Sequence, residues 1–343
     1  MRPWMTVALL AWTTCAASCF GQSSYADPNW RQECTSALAA PLDPPAMQAP
    51  WTAEKLASCD ASDLYYGIRG TPDYPAALAC GWYERAHPRA AEASMFSGPG
   101  VLTMLYANGQ AETRNYDLAI RLACEQEGTS EAEMALRIGH LEAMRTGKAE
   151  PGRFDLCDDI TSGPSMSSCA SIRTRRADAR REQEIAAAVA KLPEAAKSAF
   201  ERLRQAERAF EEARSANEVD LSGTARGMFA LEERKKLRDQ FLINLQRFAD
   251  GDVPATSSTQ WATLDRALSS TYRETQRLPA SEWHYGTIKP EGIRDTERAW
   301  IALADAWVEF AAQAYPSVDA TAVRAQLARL RLGQLRVLAP RID

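Results

Sequence analysis

Histidine is nearly absent: the 343 residues hold three, His87, His140 and His284, scattered and never beside a serine or cysteine in a catalytic pattern. No CxxC pair and no His-x-x-x-His occurs, so closely spaced metal ligands are missing. Nucleophile elbow, phosphate loop and dinucleotide fingerprint are missing too. An enzyme therefore has no support in the motifs, and neither a cofactor nor a metal is expected. Excess positive charge is lacking as well: the net charge is −5, which argues against nucleic acid or an anionic membrane as partner. Beyond the N-terminus no apolar run reaches spanning length, so no transmembrane segment is expected. The C-terminal half shows no period-two runs of β-branched residues, and no cysteine follows position 169.

What is present begins with a targeting segment. Arg2 precedes an apolar run, Trp4 to Trp12, and then small residues Ala16, Ala17 and Ser18, the order of a secretory signal peptide cleaved after Gly21 or Ala26. A second reading makes Cys19 a lipid anchor, although no Leu stands where a lipobox wants one. Export to the periplasm or the outside is the expected localisation. Six cysteines lie beyond the signal: Cys34, Cys59, Cys80, Cys124, Cys157 and Cys169. An even number in an exported chain reads as disulfides. Cys157–Cys169 is the favoured pair, because Gly163-Pro164 turns the chain back between them; the other pairings stay open. Asp155, Asp158 and Asp159 around Cys157 suggest a cation site less than a solvated acidic loop.

Prolines 41, 44, 45 and 50 rule out a long helix, so residues 22–60 read as an irregular lead-in. From 61 to 172 short helices alternate with glycine stops. Tyr74-Pro75-Ala76-Ala77-Leu78 is echoed about forty residues on by Tyr116-Asp117-Leu118-Ala119-Ile120, and Leu102, Leu105, Tyr106 and Gly109 stand between them, a helix–turn–helix repetition. This resembles the Sel-one-like subclass of tetratricopeptide repeats, which implies a protein-binding helical array.

A longer repeat organises the rest. Leu203 to Arg214, LRQAERAFEEAR, returns ninety residues on as Ile293 to Ala304, IRDTERAWIALA, with Phe210 replaced by Trp300. Pro193 marks the start of the first copy's helix, and Thr224 is a candidate cap for the next one. The charged block Arg173 to Glu184 reads as solvated. Trp300 and Trp307, seven apart, read as core. The expected fold is all-α: a short disulfide-linked helical-repeat (solenoid) domain, then two antiparallel helical bundle units. The expected divisions are signal 1–21, lead-in 22–60, repeats 61–172, first unit 173–250, linker 251–260 and second unit 261–343.

The C-terminal half resembles the LprI family of lysozyme inhibitors. Asp265, Leu268 and Tyr272 match its first motif; Arg294, Arg298, Ala299, Trp300 and Asp305 match its second, and Phe210 stands for Trp300 in the first copy. Neither copy carries the family's cysteines. The resemblance implies an exported binding protein with a protein partner, a lysozyme. The alternative is a periplasmic scaffold whose helical repeats dock another envelope protein. Candidate partner-binding residues are Glu207, Arg214, Glu297, Arg298 and Asp305, which flank the apolar seams. The first copy keeps Arg214 and the second keeps Asp305, so facing units would bring these two together to restore one motif.

Overall fold

A computed structural model describes residues 26–42, 51–88, 95–126, 128–149, 152–279 and 286–338. The signal segment with Cys15 and Cys19, three of the lead-in prolines and His284 lie outside the described residues. Among the described residues every regular element is helical. The N-terminal half contains α1 (Trp30–Ala39), α2 (Ala53–Leu56), α3 (Ala61–Tyr66), α4 (Tyr74–Ala86), α5 (Gly98–Asn108), α6 (Tyr116–Cys124) and α7 (Glu131–Arg145). A 3-10 turn, Leu156–Asp159, leads into α8 (Gly163–Val189). Then follow α9 (Glu194–Asn217), α10 (Arg226–Asp250), α11 (Ser258–Arg277), α12 (Pro290–Ala314) and α13 (Ala320–Leu338).

Local chemistry sets many of these boundaries. Asp73, Asn115, Ser130 and Ser162 each accept a hydrogen bond from a first-turn backbone N–H, and Ser257 forms a reciprocal capping box with Gln260. Pro193 caps α9 at the expected place. Thr224 does not cap α10; that helix begins one residue later, behind Ala225. The Thr224 carbonyl instead lies against Gly163, where a Cβ would sit only 2.1 Å from it. Within the lead-in, residues 30–39 are a regular helix, since the prolines begin only at Pro41.

The N-terminal helices pack in sequence, α4 on α5, α5 on α6 and α6 on α7, with α1 laid across α6 and α7. Helix α5 is buried on all sides, which its nearly uniformly apolar sequence requires. It stops at Asn108 because Gly109 takes a left-handed conformation, φ +64°. Gly109→Ala should cost about 1–2 kcal/mol, since a Cβ there meets both unfavourable backbone geometry and Arg114 Cβ at 3.2 Å. Urea unfolding checks this, and an unchanged midpoint would contradict it.

Three disulfides hold the array: Cys34–Cys124, Cys59–Cys80 and Cys157–Cys169. The favoured Cys157–Cys169 pair is present. Of the acidic group around it, Asp158 is exposed as expected, but Asp155 and Asp159 are not solvated. Asp155 accepts from the Tyr66 hydroxyl at 3.1 Å, and buried Asp159 lies 3.1 Å from His140 Nδ1. Cys59, Cys80 and Glu84 also converge, but both sulfurs are spent in the disulfide. Glu133 fastens α7 to the start of α8 by accepting from Thr161 N, Ser162 N and Ser165 Oγ. Burial opposes its charge, yet these bonds outweigh burial and hold its carboxyl below the usual range.

Helix α8 runs through residue 172 and joins both halves, with Cys169 and Ile172 in the first core and Ile185 in the second. Its charged block is only partly solvated. Arg181 is buried and bridges Asp178 and Asp239, because α10 covers that side of α8. In the C-terminal half α8 lies on α10, α11 on α13, and α9 on α12. One core spans both copies of the repeat: Phe200 and Phe210 from α9, Phe241 and Phe248 from α10, Trp307 and Phe310 from α12. A smaller core under α11 and α13 holds Leu268, Ile293 and Leu335.

Candidate functional site

The two repeated helices meet each other. Thr296 Oγ1 on α12 donates to the Ala213 carbonyl on α9 at 3.2 Å, while Arg202 near the start of α9 pairs with Glu309 near the end of α12. Phe200 and Phe310 touch with ring centroids 5.6 Å apart. Residue numbers rise along one helix as they fall along the other, so the pair is antiparallel. That arrangement brings equivalent residues Phe210 and Trp300 to the wall of one cavity of about 50 Å³.

The ninety-residue correspondence continues beyond the motif: Leu237, Phe241 and Leu245 on α10 answer to Leu327, Arg331 and Leu335 on α13. One difference among these, Phe241 against Arg331, puts a cation on the seam in the second copy and an apolar ring in the first. In the second copy, Arg331 is completely buried and grips Glu218 with two nitrogens, at 2.6 and 2.8 Å, and Glu297 with Nε at 2.8 Å. Arg214 joins the cluster through Glu218 and through Glu233, the latter at 2.7 Å. Burial raises the Glu297 carboxyl, and Arg331 works against that rise.

In the first copy the equivalent carboxylate, Glu207, has Phe241 where Glu297 has its arginine. Glu207 Oε2 accepts from Arg204 at 3.0 Å; Oε1 has no hydrogen-bond partner among the described residues. Burial, joined by repulsion from Glu211 and Glu182 and opposed by Arg204 and Arg238, pushes its carboxyl up to about 7. Glu211 is itself gripped by Arg238 at 2.6 and 2.7 Å.

No family model, curated protein or solved structure matches the chain.

Three of the five residues expected to face a partner do not. Glu207, Arg214 and Glu297 are only 4, 8 and 9 % exposed and are bonded inside the bundle. Flanking a seam placed them between helices, because α10 and α13 close over the seam from the side. Arg298 and Asp305 are exposed and, among the described residues, pair with Asp295 and Arg324. Arg214 and Asp305 do not come together despite the facing helices, since antiparallel packing sets Ala213 beside Thr296, about two and a half turns of α12 from Asp305. Of the matched motif residues, Phe210 and Leu268 are buried, while Tyr272 and Trp300, the latter expected in the core, are half-buried. Asp265 is exposed on the solvent side of α11, as a lone carboxylate should be. Trp307 is buried, its ring 5.0 Å from Phe241 and 5.1 Å from Phe248.

Sequence reasoning missed Arg331, Glu218 and Arg204. Carrying the ninety-residue offset past Ala304 would have exposed the Phe241/Arg331 contrast.

Proposed function

We propose that this protein is an exported binding protein of the cell envelope, resembling the LprI lysozyme inhibitors, and that it acts by covering a partner rather than by catalysis. Three disulfides support export, because they form and persist in oxidising compartments. No helix among the described residues is long and apolar enough to cross a membrane. The observation that carries the reading is the outer face of α12. With the motif's inward side spent on the α9 seam, Arg298, Ile301 and Asp305 form one exposed stripe at three- and four-residue steps. An exposed Ile between two opposite charges suits a partner that brings an apolar anchor and charges of its own.

Purified mature protein is expected to slow cell-wall lysis by at least one lysozyme class. The double variant R298E/D305K should weaken that effect at least about tenfold with an unchanged thermal midpoint. No slowing by any lysozyme well above about micromolar protein overturns the inhibitory reading.

A second reading makes the N-terminal helices a scaffold. It rests on a groove of about 520 Å³ between α1, α6 and α7, edged by Glu33, Asp117, Arg121 and Arg145. Cross-linkers placed at Ile301 and at Asp117 decide: capture of an envelope protein at Asp117 alone favours the scaffold.

A further inference from the structure

The cavity at the α9–α12 seam has chemistry that a protein-covering role does not use. Its floor is buried and aromatic, made by Phe210, Phe241 and Trp307, while its rim is half-buried Trp300 and Gln240. Among the polar groups that reach it, most are already satisfied. Arg331 is committed to Glu218 and Glu297, and Gln240 donates to Asn244 at 3.0 Å. Glu207 Oε1 is the exception, a buried carboxylate oxygen on the cavity wall without a hydrogen-bond partner among the described residues. We propose that this cavity binds a small organic cation, a short primary alkylammonium, with the ammonium on Glu207 and the alkyl chain against Phe210, Phe241 and Trp300.

Size, sign and shape each narrow the class. A water-sized occupant takes about 10–15 Å³ on this measure, so about 50 Å³ suits a ligand of about four non-hydrogen atoms. A carboxylate oxygen can only accept, so the ligand must donate. An anion would meet Glu207 itself and find Arg331 already occupied. Between a neutral donor and a cation, the charge-assisted bond and the aromatic faces both favour the cation. The walls already hold guanidinium groups in this way: Arg204 lies 5.2 Å from the centre of the Phe241 ring and Arg331 lies 5.9 Å from that of Phe210.

The charged groups around Glu207 are Arg204 and Glu211 on α9, Arg238 on α10, Glu182 on α8 and Arg331 on α13. They are paired, Arg204 with Glu182, Arg238 with Glu211, and Arg331 with Glu218 and Glu297. None of them competes for Oε1. The proposal stands apart from the partner-binding reading, because it concerns a different face of the bundle and a different ligand.

The probe is propylammonium, titrated into the full mature chain and followed by calorimetry and by the fluorescence of the cavity tryptophans. Propanol and propionate serve as neutral and anionic matches. At about pH 8.5 the amine should bind saturably with a dissociation constant of about 1–10 mM, as its few atoms allow. Propionate should not bind, and propanol should bind at least about tenfold more weakly. At about pH 5.5, where Glu207 holds a proton, amine affinity should fall by at least about tenfold. Glu207→Gln should lose the amine by a similar factor at about pH 8.5 with its helical circular dichroism intact. Equal binding of propanol and propylammonium overturns the proposal. So does retained amine affinity in E207Q, or no saturable binding up to about 100 mM, which would leave the cavity to water. Should E207Q fail to fold, the pH series on the unaltered chain decides alone.

Discussion

Arg331→Met should lower the free energy of unfolding by about 3–5 kcal/mol, the cost of breaking a buried ion pair from one side. Met keeps much of the volume and the flexible stem, so a packing defect is a small part of the loss. The main cost is charge. Arg331 is fully buried and is the common partner of Glu218, also buried, and Glu297. Without it Glu218 keeps Arg214, but Glu297 keeps no cation bonded to it among the described residues. The cell of three carboxylates and two arginines formed by Arg214, Glu218, Glu233, Glu297 and Arg331 then faces burial with one arginine. Neutralising the stranded groups should return stability: R331M/E218Q/E297Q is expected to be more stable than R331M alone, because removing all members of a buried cluster costs less than removing one. Urea unfolding at neutral pH measures both. A loss under about 1 kcal/mol in R331M would mean that the cluster behaves like a surface bridge and that water reaches it.

The same cluster shows how far a sequence carries. The helices were readable because their signals are local: Pro193 before α9, Asn108-Gly109 at the end of α5, and the three- and four-residue apolar spacing on α12. Cys157–Cys169 was readable because a turn between the two cysteines is also local. Cys34–Cys124 was not, since ninety residues of helical array decide where those sulfurs meet. The charges beside the repeated seam look on a helical projection like solvated flanks. They are buried because α10 and α13 lie over them, which is a property of tertiary packing and not of either helix alone. The candidate site was half legible for the same reason. The motif placed Glu207 and Glu297 in equivalent positions, but their different chemistry comes from Phe241 and Arg331, thirty-four residues further along each copy.

That difference sets the second large expected effect. Glu207→Gln should stabilise the protein by about 2–3 kcal/mol at about pH 8.5 and change it little at about pH 4.5. Folded, Glu207 keeps its proton up to about 7, against 4.5 for a free Glu side chain. Between those values the folded state binds more proton than the unfolded one, so this carboxyl makes stability fall as pH rises through that window and contributes no further change above it. Gln does not titrate, and its side-chain oxygen still accepts from Arg204. Glu133, held low by its bonds to the start of α8, acts with the opposite sign: its stability is lost as pH falls through its lowered value, beneath the Glu207 window. Other carboxyls raised by burial, Glu297 among them, slope the same way as Glu207, so the difference between variant and unaltered chain, not either curve alone, isolates the residue. Glu297→Gln supplies the contrast. Arg331 offsets part of the burial cost there, so E297Q should gain less stability at about pH 8.5 than E207Q does. Unfolding midpoints across about pH 4.5 to 8.5 test the pair. If E207Q keeps the slope of the unaltered chain through that range, Glu207 is ionised and solvated in the folded state, and the contrast between the two copies of the repeat is lost.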